Sequence, residues 1–279
     1  MMTEETVRNL FSFLDDESDS VAYGAMAELL QYADLPDGLL KEFQESSNPL
    51  MRKRIHQLES ILTIRHRRKN FLRLLDNPSG IDLADCLAEI HLMWYDNDSK
   101  PGISELLGEF FAAAENYAIA DIVQLGDFMR KSNFSTPIDG ETLNPDNYCI
   151  GSVLTEHTGS EIMLCLLALL ASFSSSLQLR MARIMDNFVL TDSSGIWLMP
   201  SGNWQTGKLS AAAAPEYWDD GKQIMKYIVL QLFTAAVASS SFRYIHTITA
   251  ALLGSDGTGS GQDFLPFPYR PAKDEDFKQ

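Results

Sequence analysis

The 279-residue sequence predicts an α+β, mostly helical protein, with a helical N-terminal layer, a core carrying a small antiparallel sheet, and C-terminal helices. Three observations predict it. Residues 5–132 place apolar side chains at helical spacing between polar turns. Residues 162–171 are apolar all round, as a buried helix is. Residues 177–199 then change to short alternating segments broken by a turn, the pattern of strands.

In the N-terminal layer, Val7, Leu10, Phe11 and Leu14 share one helix face, which stops at the acidic turn of residues 15–20. Residues 21–32 form the next predicted helix, with Ala25, Met26, Leu29 and Leu30 on one side. Residues 36–43 form a third. A fourth begins at Leu50 and continues through IRHRRKNFLRLL, residues 64–75. Residues 18–30 and 47–62 echo each other at an offset of 29, matching Val21 with Leu50, Met26 with Ile55 and Leu29 with Leu58. A polar turn and a helix repeated on this scale resemble a pair of HEAT-like units. Two units are too few for a solenoid, so a short helical layer packed on something else is expected. Residues 81–93 read as a buried helix with Cys86 inside it, and 103–116 with 119–132 as a helical pair.

Residues 133–146 are rich in Pro, Thr, Asn and Gly and read as loop. Thr158 and Glu161 have capping-box spacing at the start of the apolar helix. LQLRM, residues 177–181, alternates as a strand; 187–190 and 196–199 read as a hairpin joined through 192–195. Helical structure is expected to resume at 215–218, and 224–238 with 244–253 to pair across Ser239, Ser240 and Ser241. GSDGTGSG, residues 254–261, lacks the Lys-Ser/Thr ending of a phosphate-binding loop and reads as a linker before a proline-spaced tail. The expected division is therefore 1–132 helical and HEAT-like, 133–210 the core, 211–253 a C-terminal helical pair, and 254–279 a flexible tail.

A formal net charge of −16 argues against broad binding to nucleic acid or an anionic membrane. The opening MMTEETVRNL lacks the basic and apolar regions of a signal peptide, and the longest apolar run is about half of the ~20 residues a membrane span needs. A cytoplasmic protein is expected. Cys86, Cys149 and Cys165 have no paired spacing, so neither a disulfide framework nor a zinc knuckle is indicated, and no cofactor or metal is expected. One basic segment interrupts the acidic balance: residues 52–73 hold eight Lys and Arg against Glu59. It reads as a solvated helix face or as a site for an anionic partner, with Arg65, Arg67, Arg68 and Lys69 as the candidate binding residues.

A helix N-terminus facing a small antiparallel sheet is the layout of papain-like and transglutaminase-like enzymes, where the helix dipole lowers a thiol pKa and a strand histidine acts as base. NPDNYCIGSVL (144–154), Gly159, the apolar helix, DNFVL (186–190) and the N-terminal LFSFLDDESDSV (10–21) together resemble the SirB1-type transglutaminase-like family. The resemblance covers roughly residues 5–205. It implies a helical N-terminal part ahead of a transglutaminase-like core.

The resemblance also shows departures at the working positions. The family's helix begins Gly-x-Pro-x-Ser or Cys, and Met163 stands at the nucleophile position. The strand histidine falls on Asn187, and the acid before a proline falls on Met199. A thioether cannot be deprotonated to attack, and an amide is no general base near neutral pH. Cys165, about 200° around the helix from Met163, points toward the core. Cys149 and His157 both fall in the lead-in and form an alternative pair. His91 and His246 lie on otherwise apolar helices and read as core or interface histidines.

Three readings follow. The first is a catalytically inactive transglutaminase-like protein that serves as a binding or structural module, with another protein as partner. The second is a thiol hydrolase or acyltransferase with its site relocated to Cys149 or Cys165 with His157. The third is a HEAT-type helical scaffold in which strands are decoration.

Overall fold

The computed structural model describes residues 4–31, 37–77, 82–138, 143–175, 177–209 and 215–253. The expected linker and tail, 254–279, lie outside the described residues. By contacts the chain divides into two compact units, one drawn from Met1–Lys69 with Ser241–Gln279 and the other from Asn70–Ser240. Helices of 83–131 therefore share a unit with the sheet.

The first unit holds α1 (Glu4–Ser12), α2 (Asp19–Leu29), α3 (Asp37–Gln44), most of α4 (Pro49–Leu75) and, from the chain's far end, α11 (Phe242–Leu252). Its core is the predicted apolar stripe: Phe11, Leu14, Met26, Leu29, Ile55 and Leu58 are all fully buried. The internal echo thus holds at two of its three pairs, whereas Val21 is largely exposed. The basic segment is not the solvated face that its composition predicts. The Arg54 guanidinium is buried and donates to the carbonyls of Leu14 and Asp16 and to the Asp19 carboxylate at 2.9 Å. Arg65 donates to the Leu30 carbonyl at the end of α2, where a cation complements the helix dipole. Arg68 is 1% exposed, Arg67 half-buried, and only Lys69 of the four candidates is exposed. The physical reason is local: helix ends leave carbonyls unpaired, and a guanidinium with five donors satisfies several at once.

The second unit runs α5 (Leu83–Trp94), α6 (Lys100–Tyr117), α7 (Ile122–Lys131), a 3₁₀ turn at Pro145–Tyr148, α8 (Ile150–Glu156), α9 (Glu161–Ala171), then the strands and α10 (Gly221–Ala238). Asp82, Ser99, Asp121 and Asp220 start four of these helices by accepting a backbone N–H two or three residues on. The strands are β1 (Leu179–Ile184), β2 (Asn187–Asp192), β3 (Ile196–Met199), β4 (Gln205–Lys208) and β5 (Glu216–Tyr217). They form one antiparallel sheet in the order β4-β3-β2-β1-β5. The predicted β2–β3 hairpin is present; the Asp192 carboxylate accepts from the backbone of Ser194 and Ile196, and Gly195 takes φ +79°. Residues 216–217 are strand rather than the expected helix, because their backbone pairs with β1, and α10 begins only at Gly221.

α9, with nine of its 11 residues buried, packs on β2, and α7 packs on β3 and β4. Gly126 marks the closest approach: an added Cβ would sit 2.6 Å from Leu198 and 3.1 Å from the Trp204 carbonyl. A five-stranded sheet seated on the apolar helix overturns the reading of a helical scaffold with strands as decoration.

Candidate functional site

At the head of α9, Ser160 takes the N-cap position, and its buried hydroxyl has no hydrogen-bond partner. The expected capping box does not form. Glu161 instead accepts the Phe188 N–H at 2.9 Å, and the Thr158 hydroxyl donates to the Glu156 carbonyl at 3.4 Å. A strand N–H at a buried residue needs an acceptor, and the Glu161 carboxylate is the one that reaches it. The result clamps the helix head to β2.

A cleft of about 340 Å³ opens at this junction. Pro137, Tyr148 and Tyr227 give it apolar walls, and Ser160, Asn187 and Ser201 give it hydrogen-bonding groups. The Ser201 hydroxyl donates to Asn187 Oδ1 at 3.5 Å. Phe188, Trp218 and Tyr227 support the wall edge to face, with ring centroids 5.0–5.5 Å apart. Burial raises the Tyr148 phenol to about 12, so it remains a donor.

Of the three positions that the resemblance marks as altered, only Asn187 lines the cleft. Met163, the third residue of α9, is fully buried in the core. Met199 is half-buried at the end of β3, opposite Gln205. Cys165 is fully buried; burial first, then the Glu161 carboxylate, holds its thiol well above the ordinary range.

Cys149 and His157 are not brought together. The stretch between them is not irregular but the helix α8, whose 7 residues separate its N-cap, Cys149, from its C-cap, His157. At 1.5 Å of rise per residue they stand about 12 Å apart along the axis. His157 takes φ +55°, its Nδ1 meets the Ser132 carbonyl, and its ring stacks on Phe134 at 4.8 Å. Burial, then the Asp146 and Asp98 carboxylates, pushes the Cys149 thiol well above its ordinary value.

A second cavity, of about 650 Å³, lies at the end of α5; Asn144, Asp146, Asn147, Gly151 and Ser152 of its lining fall in the 144–154 stretch that carries the family resemblance, though none of them is a candidate site residue there. His91, 2% exposed, anchors it. Its Nδ1 accepts the Gly151 N–H at 3.3 Å, so the proton resides on Nε2, which donates to Asp98 Oδ2 at 2.8 Å. The Cys149 side chain leaves α8 without a side-chain cap, and His91 satisfies that orphan donor instead. Gly151 is required by the fit: an added Cβ would lie 2.6 Å from His91 Cε1 and 2.7 Å from Ile103 Cδ1. Beside this pair, the Tyr95 phenol donates to Asp146 Oδ1, and the His91 and Tyr95 rings lie 5.1 Å apart. Burial first, then the Asp146 hydrogen bond, raises the Tyr95 phenol far above its usual value.

Among the described residues no group of three or more His, Cys, Asp or Glu is placed to hold a metal ion, and no helix is long and apolar enough to cross a membrane. No family model, curated protein or solved structure matches the chain.

Proposed function

We propose that this protein is a catalytically silent module of transglutaminase-like descent that binds a peptide segment of another protein in the cleft at the head of α9. Met163 carries the reading. Where the resembled family keeps its nucleophile, a fully buried thioether packs in the core, with no proton to lose. Cys149 and Cys165 offer no replacement in this reading, since burial keeps both thiols protonated near neutral pH. The cleft supports the binding half. Two tyrosines and a proline offer apolar wall, while Ser160, Asn187 and Ser201 offer groups for the backbone of an extended segment.

Selection of a random peptide library on the folded protein, counter-selected on Asn187→Trp, tests the cleft. Peptides that bind the parent protein and are lost on the filled variant are expected; enrichment that ignores Asn187→Trp overturns the site. Alkylation at neutral pH tests the silence. Labelling of Cys149 in the folded protein, together with thioester turnover that Cys149→Ser abolishes, would establish a thiol hydrolase or acyltransferase instead.

A further inference from the structure

The cavity at the end of α5 is separate from the α9 cleft in everything but one wall residue, Asn147, and its chemistry differs. Its volume, about 650 Å³, lies within the ~300–1,000 Å³ typical of small-ligand sites. Ile103 and Leu106 give it an apolar side. Its charged lining consists of the carboxylates of Asp98, Asp146 and Glu156, with neither lysine nor arginine. His91 adds no positive charge, because Nδ1 is occupied as an acceptor by the Gly151 N–H.

Two of these carboxylates are held in place from behind. Asp98 receives a hydrogen bond from a nearly fully buried imidazole, and Asp146 receives one from a phenol. Each donor orients its carboxylate, and an oriented carboxylate is preorganised for a positive partner. The His91 and Tyr95 rings that hold them lie 5.1 Å apart, so the two carboxylates are anchored from neighbouring side chains in the lining. The C-terminal end of α5 opens at Tyr95 in the same wall, so its carbonyls add partial negative charge there.

We infer that this cavity binds an alkyl-ammonium or alkyl-guanidinium cation, its stem against Ile103 and Leu106 and its head between Asp98 and Asp146. The same chemistry is supplied by a free small molecule or by a lysine or arginine side chain of a peptide. Calorimetric titration with agmatine, and separately with a short capped peptide containing one arginine, distinguishes the two sources. Tighter binding of agmatine assigns a small-molecule site, and tighter binding of the peptide assigns a side-chain pocket. A neutral alkyl alcohol of the same length is expected not to bind.

Asp98→Asn and Asp146→Asn keep the shape and remove the charge, and each is expected to weaken binding about tenfold or more. Thr155→Lys, on an exposed position of the rim, places a tethered cation over the cavity and is expected to abolish probe binding without loss of fold. Failure of both cationic probes to saturate overturns the inference. Binding that survives Thr155→Lys and whichever of the two Asn variants folds overturns it as well.

Discussion

Two cavities among the described residues of the sheet-bearing unit are built by opposite routes. The cleft at α9 comes from a layout that sequence makes conspicuous: a buried helix, its N-terminus and the first residue of β2. Its polar groups are hydroxyls and amides together with the carboxylates of Glu161, which is spent on the Phe188 N–H, and Asp186, and the residue at the expected nucleophile position faces away into the core. The cavity at α5 draws on separate segments, of which the resemblance marks only 144–154, yet it concentrates the paired titratable groups: His91 with Asp98 and Tyr95 with Asp146. The difference teaches that a recognisable scaffold and a charged, preorganised pocket need not coincide. Scaffold follows the contiguous apolar pattern, whereas a pocket's charge depends on which loops the packing brings together.

Alkaline titration probes the packing behind both cavities and has the largest expected effect. Cys149 caps α8 and Cys165 lies within α9, and both thiols are raised by burial; Cys86, buried too, is raised to about 12. A raised folded pKa means that the neutral thiol is favoured in the native state. The associated stability is complete below the ordinary thiol value of about 8.5 and is lost as pH rises above it, by about 1.4 kcal/mol per pH unit for each thiol. Thiolate absorbance is therefore expected only with cooperative unfolding. Thiolate appearing in the folded protein near pH 9 would show that one cavity reaches its cysteine.

Met163→Ala comes next. As a core truncation it is expected to cost about 2–5 kcal/mol in urea unfolding. A loss below about 1 kcal/mol would mean that this side chain faces an open cleft after all, and the contrast between the cavities would weaken. Gly151→Ala follows, at about 1–3 kcal/mol, because the new methyl meets His91 and Ile103 below 3 Å. Its signature is loss of the slowly exchanging His91 Nε2 proton from the NMR spectrum; retention of that signal would show that the His91–Asp98 pair does not depend on the tight fit. Asn187→Ala is expected to change stability by no more than about 0.5 kcal/mol, as a half-buried cleft side chain with one long hydrogen bond. A larger effect would mark Asn187 as structural rather than as a binding group.

Helix positions in both units were legible because their apolar spacing survives without knowledge of neighbours. The hairpin of β2 and β3 was legible through Asp192 and Gly195, whose chemistry suits the turn. Other elements were hidden for identifiable reasons. β4 reads QTGK and has no apolar alternation, since it is an edge strand that lets the Trp197 ring lie over Gly207. β5 is a two-residue edge, too short for any periodicity. α8 is a single short helix, and missing it made Cys149 and His157 look like neighbours. The basic segment misled in the same way: composition does not reveal that Arg54 and Arg65 face unpaired carbonyls.

By itself the sequence determined the mostly helical class, the buried helix, the antiparallel hairpin and the absence of an ionisable side chain at Met163. These follow from side-chain type and spacing, which are local. Only the tertiary structure decided which polar groups meet. Asp98 lies seven residues from His91, Gly151 sixty, and Asp146 fifty-one from Tyr95. The chain closes those separations only when α5, α6 and α8 pack, because the burial that drives packing is non-directional and leaves the polar partners to be set by the final geometry.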